Sequence, residues 1–387
     1  MFPRNVPFLR LWAATFLGYV ALGATLQILP EYLTARFALG PAGVAGMIAV
    51  ASVAAAMMRI VAGGAADGGA SRRVVLLGSL CGVLGGMAHT FASGLPVLVL
   101  GRLCLGAGEA SLFTGAVAWV LQGTAAVQRG RTAGWFGLSM WAGIAVGPFL
   151  AVGVMRLGGA RAVFTGVTLL PVVAMLLVAT TTSPPAPATS ARARRFRLPR
   201  SARTPSLAVV LASYGYGLIA ALLLLRLEAA GLGGRDECLA LFAAVFLVAR
   251  TFGSPLVDRF GGRAIWATFG LFEALGLALV AVGMNALTVL GGVALTAAGV
   301  SLLYPAAVEI VIGASAAGEH GAGMGVLTAA WDVGLLSAGI TGGLVASGAG
   351  YETAFGLGAV LVLGSIAVVM RAVPSRDAVR VPPSVAA

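Results

Sequence analysis

Seven charged residues lie within the apolar runs of this chain: Arg59, Arg102, Glu109, Arg250, Glu273, Glu309 and Asp332. Any chemistry the chain performs starts with them. A charge at the centre of a bilayer costs roughly 2.5–3.5 kcal/mol on insertion scales, so such groups face a cavity or a partner. Burial disfavours an ionised carboxylate, and a neighbouring Arg favours it. A motion that changes hydration or pairing can therefore load a proton on one side and release it on the other. Glu109 and Asp332 are the candidates for that exchange. Arg102 and Glu109 are seven residues apart, two turns along one helix face. Glu309 follows Tyr304-Pro305 near the end of its run, where a gate or headgroup contact competes with ion binding. Glu273 is expected to make a local hydrogen bond. Cys81, Cys104, Cys238, His89 and His320 have no metal-ligand or disulfide spacing, and no nucleotide loop or nucleophile constellation is present. No enzyme, cofactor or metal site is expected.

The surrounding elements explain why these charges matter. Of 387 residues, 59% are hydrophobic and 10% charged, with mean hydropathy +0.99. Soluble domains carry roughly 25% charged residues, so a water-facing globule is excluded. The expected fold class is an all-α membrane protein. Twelve segments of the length needed to cross a bilayer can be cut, at approximately 8–30, 41–62, 74–93, 95–121, 132–154, 162–181, 205–228, 238–256, 264–284, 286–313, 322–347 and 353–373. The first is expected to be a retained span and not a signal peptide. This divides the chain into an N-terminal six-helix bundle (1–181), a Pro- and Arg-rich linker (182–204), a C-terminal six-helix bundle (205–373) and a tail (374–387).

The net charge of +12 is carried by arginine alone, with no lysine. With the N-terminus inside, 17 arginines fall on inside segments, five outside (Arg36, Arg156, Arg161, Arg226 and Arg235) and three within spans. The positive-inside rule then places both termini in the cytoplasm of a multi-pass cell-membrane protein. The linker is expected to lie solvated near anionic headgroups. The basic excess is topology, and no nucleic-acid partner is expected.

A shift of 191 residues lays Arg59, Asp67 and Arg72 on Arg250, Asp258 and Arg263, and Gly143 on Gly334. A duplicated six-helix unit is the simplest source of such landmarks. Arg59 and Arg250 lie eight residues before their Asp, about 12 Å along a helix. Their partners are therefore expected on other helices.

These residues resemble the major facilitator superfamily (MFS). Ser254-Pro255-Leu256-Val257-Asp258-Arg259-Phe260-Gly261-Gly262-Arg263 is similar to its motif A, as is Gly63 through Asp67 to Arg72-Arg73, which lacks the Arg after Asp67. Arg102-Leu103-Cys104-Leu105-Gly106-Ala107-Gly108-Glu109-Ala110 resembles motif B, with Leu105 in place of Gln. Gly143-Ile144-Ala145-Val146-Gly147-Pro148 resembles motif C of antiporting exporters.

The resemblance implies two pseudo-symmetric bundles that alternate access. It assigns gating to Asp67, Arg72, Arg73, Asp258, Arg259, Gly261 and Arg263, and a sealing bend to Gly143, Gly147 and Pro148. It also places Arg102 and Glu109 on a cavity-lining span. The drug/proton antiporter group is the nearest pattern, so the expected activity is proton-coupled efflux of small hydrophobic drugs or secondary metabolites. The expected partners are that substrate, protons and the bilayer, with the chain acting as a monomer. A symporter importing a sugar or other polar metabolite is the alternative, disfavoured by scarce amides near the spans (Gln27, Asn285) and by motif C. A membrane-embedded enzyme or non-transporting sensor is the third reading. Tyr19, Trp119, Tyr214, Tyr216, Phe242, Phe246 and Trp331 could stack on a flat substrate, although each also suits packing.

Overall fold

The computed structural model describes residues 6–124, 129–181, 200–314 and 320–373, which are helical almost throughout. The helices are α1 (Val6–Phe37), α2 (Pro41–Ala65), α3 (Ser71–Thr90), α4 (Leu95–Gln122) and α5 (Arg129–Ala179) in the first half. The second half contains α6 (Arg200–Ala229), α7 (Arg235–Phe260), α8 (Gly262–Val282), α9 (Ala286–Ala314), α10 (His320–Ser337) and α11 (Gly343–Ala372). Their boundaries follow local chemistry. Pro41 starts α2 at a position where a missing N–H costs nothing. The Asn285 side-chain oxygen accepts the Thr288 N–H at 2.9 Å and caps α9.

Among the described residues, ten helical stretches are long and apolar enough to cross a membrane. Two of them are too long for one crossing. The 51 residues of α5 would extend about 77 Å as a straight helix, against a hydrocarbon core of about 30 Å. Gly159 breaks α5 with φ 67°, ψ −173°, and Gly350 breaks α11 with φ 87°, ψ 164°. Only glycine visits these conformations readily. Both breaks fall between expected spans, so the ten stretches make twelve crossings. A π-turn at Ala338–Gly342 joins α10 to α11 within one crossing.

The repeat reappears as identical contacts. Arg72 donates to the Ala179 carbonyl at 2.8 Å, and Arg263 donates to the Met370 carbonyl at 3.0 Å. Each pair is 107 residues apart, and the pairs are related by the same 191-residue shift. In each half an Arg thus satisfies carbonyls at the end of the last crossing, where a helix leaves acceptors free.

The halves meet where α2 packs on α10 and α11, and where α5 packs on α7. We call the face where α1 begins and α11 ends the near face, and the opposite one the far face. Toward the far face, one apolar core is continuous across both halves, joining Ile28, Met47 and Phe164 to Leu218, Phe242 and Ala346. Toward the near face the core divides. Phe8, Val75, Trp119 and Phe136 form one cluster, and Val209, Trp266, Leu303 and Val326 form another. The halves are therefore fused on one side of the membrane and separate on the other.

Candidate functional site

The polar centre of the molecule lies where the shared core ends. Arg59 of α2 donates from Nε to Asp332 Oδ2 at 2.6 Å and from Nη2 to Oδ1 at 3.3 Å. Both side chains are nearly buried, so this two-point pair is shielded from water. It is also a bond between halves, because α2 belongs to the first and α10 to the second. Glu109 of α4 lies in the electrostatic field of Arg59, Arg102 and Asp332, and its Oε2 is buried without a hydrogen-bond partner. Tyr19 of α1 interacts with Glu109, Arg59 and Asp332, and its hydroxyl donates to the Glu109 backbone carbonyl at 3.4 Å. Four helices thus converge on one salt bridge and one uncommitted carboxylate.

Aromatic side chains wall this centre. The Trp141 ring lies 4.0 Å from that of Phe246 and 6.2 Å, edge-on, from that of Trp331. Tyr216 bridges Phe242 at 5.4 Å and Trp331 at 5.8 Å. Tyr304 meets Trp331 edge-on at 6.2 Å. Tyr216 also feels the charge of Glu109, which ties the aromatic group to the ionic one. Tyr216, Phe242, Phe246 and Trp331 were visible as stacking candidates. Trp141 carries no motif signal, although it sits two residues before Gly143. Of the other candidates, Trp119 packs in the near-face core of the first half, and Tyr214 hydrogen-bonds with Thr341 at 2.8 Å.

The remaining expected residues occupy other places. Arg102 is buried and donates to the Met47 carbonyl at 3.1 Å and the Ile48 carbonyl at 2.9 Å. It ties α4 to α2 through backbone acceptors. Arg250, the repeat equivalent of Arg59, donates to the Ser301 carbonyl of α9 at 3.0 Å. Both arginines do bond to other helices, but only Arg59 crosses between halves. Glu309 Oε2 accepts the Gly262 N–H at 2.9 Å, capping α8. Glu273 is buried with neither carboxylate oxygen hydrogen-bonded, which departs from the expected local bond. It is wedged against the backbone of Gly215, where no side chain exists to donate.

Within motif A, Asp258 and Arg259 are exposed at the end of α7, with the Arg259 guanidinium 5.1 Å from the Phe260 ring. Gly261 ends that helix with φ 83° and ψ 154°, a positive-φ conformation that favours glycine. Arg73 is exposed at the start of α3. The Asp67 side chain and linker residues 182–199 lie outside what the structure describes. In motif C, a methyl group added to Gly143 or Gly147 would come within 2.5 Å of the Phe16 or Val20 carbonyl. These glycines let α5 lie directly on the backbone of α1, with Pro148 packed over Gly23. Gly334 makes the same approach to α6, at the Val210 carbonyl.

Toward the far face, further bonds tie the halves together. Arg156 pairs with Asp236 at 3.0 Å, Arg235 with Glu31 at 3.3 Å, and the Ala42 N–H donates to Ser347 Oγ at 3.0 Å. An apolar cleft beneath them, between Gly23, Pro148, Tyr216 and Phe242, has only about 20 Å³ of free volume, little more than a water molecule needs.

Comparison with known proteins agrees with this arrangement. The family described as the Major Facilitator Superfamily matches residues 11–234 and 206–386. An uncharacterised MFS-type transporter of Escherichia coli, YhhS, is 30% identical over 376 residues, covering 93% of this chain and 91% of its own. An uncharacterised MFS-type transporter of Salmonella typhimurium is 27% identical over 376 residues, covering 94% and 96%. A solved bacterial homologue of the human lysosomal transporter Spinster, in an inward-facing and occupied conformation, superimposes with TM-score 0.77 at 15% identity, covering 97% and 98%. That likeness is one of fold. Twelve crossings in a repeated six-helix plan, together with these matches, make this chain a multi-pass membrane transporter belonging to the Major Facilitator Superfamily.

Proposed function

We propose that this transporter is a proton-coupled exporter of small hydrophobic compounds, drugs or secondary metabolites, working by alternating access. The observation that carries the reading is the buried group of Arg59, Asp332, Glu109 and Tyr19 where the halves meet, beside the aromatic wall of Trp141, Tyr216, Phe246 and Trp331. The aromatic faces suit a flat, apolar molecule, and the ionic group suits proton exchange. Arg59 and Asp332 form a two-point pair across the halves, so separating them there frees the Asp332 carboxylate while Glu109 changes its neighbours. Substrate movement and carboxylate protonation then depend on the same rocking motion.

Arginine distribution supports a cytoplasmic near face and termini. With that orientation, the shared far-face core and divided near-face cores correspond to an inward-facing state. The motif C glycines, holding α5 on α1 beneath the closed far face, fit the exporter reading.

The test is uptake of a compound panel into inverted vesicles under an imposed pH gradient, comparing wild type with Glu109→Gln and Asp332→Asn. The reading expects gradient-driven accumulation of at least one hydrophobic compound and its loss in one or both variants. Full gradient-driven transport in both variants removes the assigned coupling sites. Substrate moving with the proton, and not against it, replaces export with symport.

A further inference from the structure

We propose that the far face of the first half carries a binding site for the phosphodiester headgroup of an anionic glycerophospholipid, built around Arg36 and Arg161. With the near face cytoplasmic, as proposed above, the positive-inside bias makes arginine unexpected on the far face. The sequence places five arginines here, and the structure accounts for three by ion pairs. Arg156 pairs with Asp236, Arg226 with Glu352, and Arg235 with Glu31 and Glu228. Arg36 and Arg161 pair with no carboxylate among the described residues. Both line the same cavity of about 290 Å³, between the end of α1, the end of α3 and the part of α5 that follows Gly159.

The cavity is shaped for a charged head at a membrane boundary. The Arg36 guanidinium lies 5.9 Å from the Tyr32 ring and 5.7 Å from that of Phe37, and donates to the Ala92 carbonyl at 3.2 Å. The Arg161 guanidinium lies 5.9 Å from the Phe91 ring. Aromatic faces thus hold both cations in place while leaving N–H donors for an anion. His89 and Phe164 form buried cavity wall.

A hydrophobic track leads into the cavity. Leu77, Leu80, Leu84, Met87 and Phe91 are exposed along one face of α3 and just beyond it, at spacings of three and four. Leu169, Val173 and Leu176 form a matching exposed row on α5, which packs beside α3. Phe91 ends the first row and also lines the cavity, 64% exposed. A diacyl lipid with its phosphate between Arg36 and Arg161 would lay its chains on these rows. A soluble phosphate or organic anion shares the headgroup chemistry but would not use the rows, which favours the lipid.

The experiment titrates the purified full chain in detergent with dioctanoyl-phosphatidylglycerol, dioctanoyl-phosphatidylcholine and glycerol 3-phosphate, read by thermophoresis. The proposal expects saturable binding of the anionic lipid, at least about tenfold tighter than either comparator. Binding should weaken at least about tenfold in Arg36→Gln/Arg161→Gln and stay within about threefold in Arg36→Lys/Arg161→Lys, which keeps both charges. Arg156→Gln removes a paired arginine from the same face and should leave binding unchanged. If the double Gln variant is not monodisperse, Arg161→Gln alone is expected to weaken binding several-fold. Equal binding of the two lipids, full binding by the Gln variants, or no saturable binding overturns the site. Displacement of the lipid by equimolar glycerol 3-phosphate overturns the lipid assignment in favour of a soluble anion.

Discussion

Arg59 and Arg250 occupy the same position in the two repeats, and they hold different things. Arg250 stays within its own half, bonded to a carbonyl of α9, whereas Arg59 reaches across to Asp332. The contrast extends through the site. The first half supplies Tyr19, Arg59 and Glu109, a mostly ionic wall, and the second supplies Tyr216, Phe242, Phe246, Tyr304 and Trp331, a mostly aromatic one. Trp141 and Asp332 are the exceptions, each inserted into the other half's chemistry. The shared scaffold tolerates this divergence because its own contacts are kept elsewhere. An added methyl group at Gly108 would come within 2.8 Å of the Gly78 carbonyl, and one at Gly299 within 2.6 Å of the Phe269 carbonyl, the same helix crossing 191 residues later. Duplicated packing supplies the frame, and unequal side chains supply direction.

The largest effect should come from removing the separation of the halves altogether. In a background lacking Cys81, Cys104 and Cys238, Ala42→Cys/Ser347→Cys should crosslink the far face under oxidant. Transport should stop, and reductant should restore it. Undiminished transport by the crosslinked protein would mean the far face does not open.

Next comes the contrast between the two arginines. Breaking one side of a buried ion pair costs about 3–5 kcal/mol, so Arg59→Met should lower the transport rate about a hundredfold or more. Arg250→Met should cost less than about tenfold, because it leaves behind a carbonyl and not a buried carboxylate. Equal losses would erase the distinction between the halves. Trp331→Ala removes the ring that meets Trp141, Tyr216 and Tyr304. It should raise KM for an aromatic substrate about tenfold with a smaller change in kcat, measured in the same vesicles.

Gly147→Val places side-chain atoms against the α1 backbone. Overpacking of about 1–3 kcal/mol should slow transport several-fold without preventing insertion. The smallest effect belongs to Arg156→Ala. Its pair with Asp236 is 70% and 49% exposed, and exposed pairs contribute about 0–1 kcal/mol, so the rate should change at most about fivefold and typically less than that.

The sequence makes much of the frame legible because the bilayer leaves few choices. Apolar length marks the crossings even where one helix carries two of them, as at Gly159 and Gly350. The repeat is legible because Arg59, Asp67 and Arg72 recur 191 residues later as Arg250, Asp258 and Arg263, and the structure adds matching carbonyl partners for Arg72 and Arg263. The site is less so. Arg59 and Asp332 are 273 residues apart, and nothing in the periodicity of α2 or α10 names the other. The family resemblance puts Arg102 on a cavity-lining span, and the sequence puts Glu309 near a helix end as a gate, headgroup or ion-binding candidate, yet both bond to backbone groups of neighbouring helices. Sequence depth identifies which charges are costly but not which acceptor lies opposite. Glu273 shows the same limit in reverse. It stands 191 residues from Gly82, in a place where the first half needs no side chain at all.

The central claim is that Arg59 and Asp332 act as one unit joining the halves. A double-mutant cycle on transport rate tests it most directly, using Arg59→Met, Asp332→Asn and the double variant at matched amounts of folded protein in vesicles. The account predicts strong coupling, with the double variant no slower than the slower single variant and a non-additivity of at least about tenfold. Two independent losses that multiply in the double variant would contradict it.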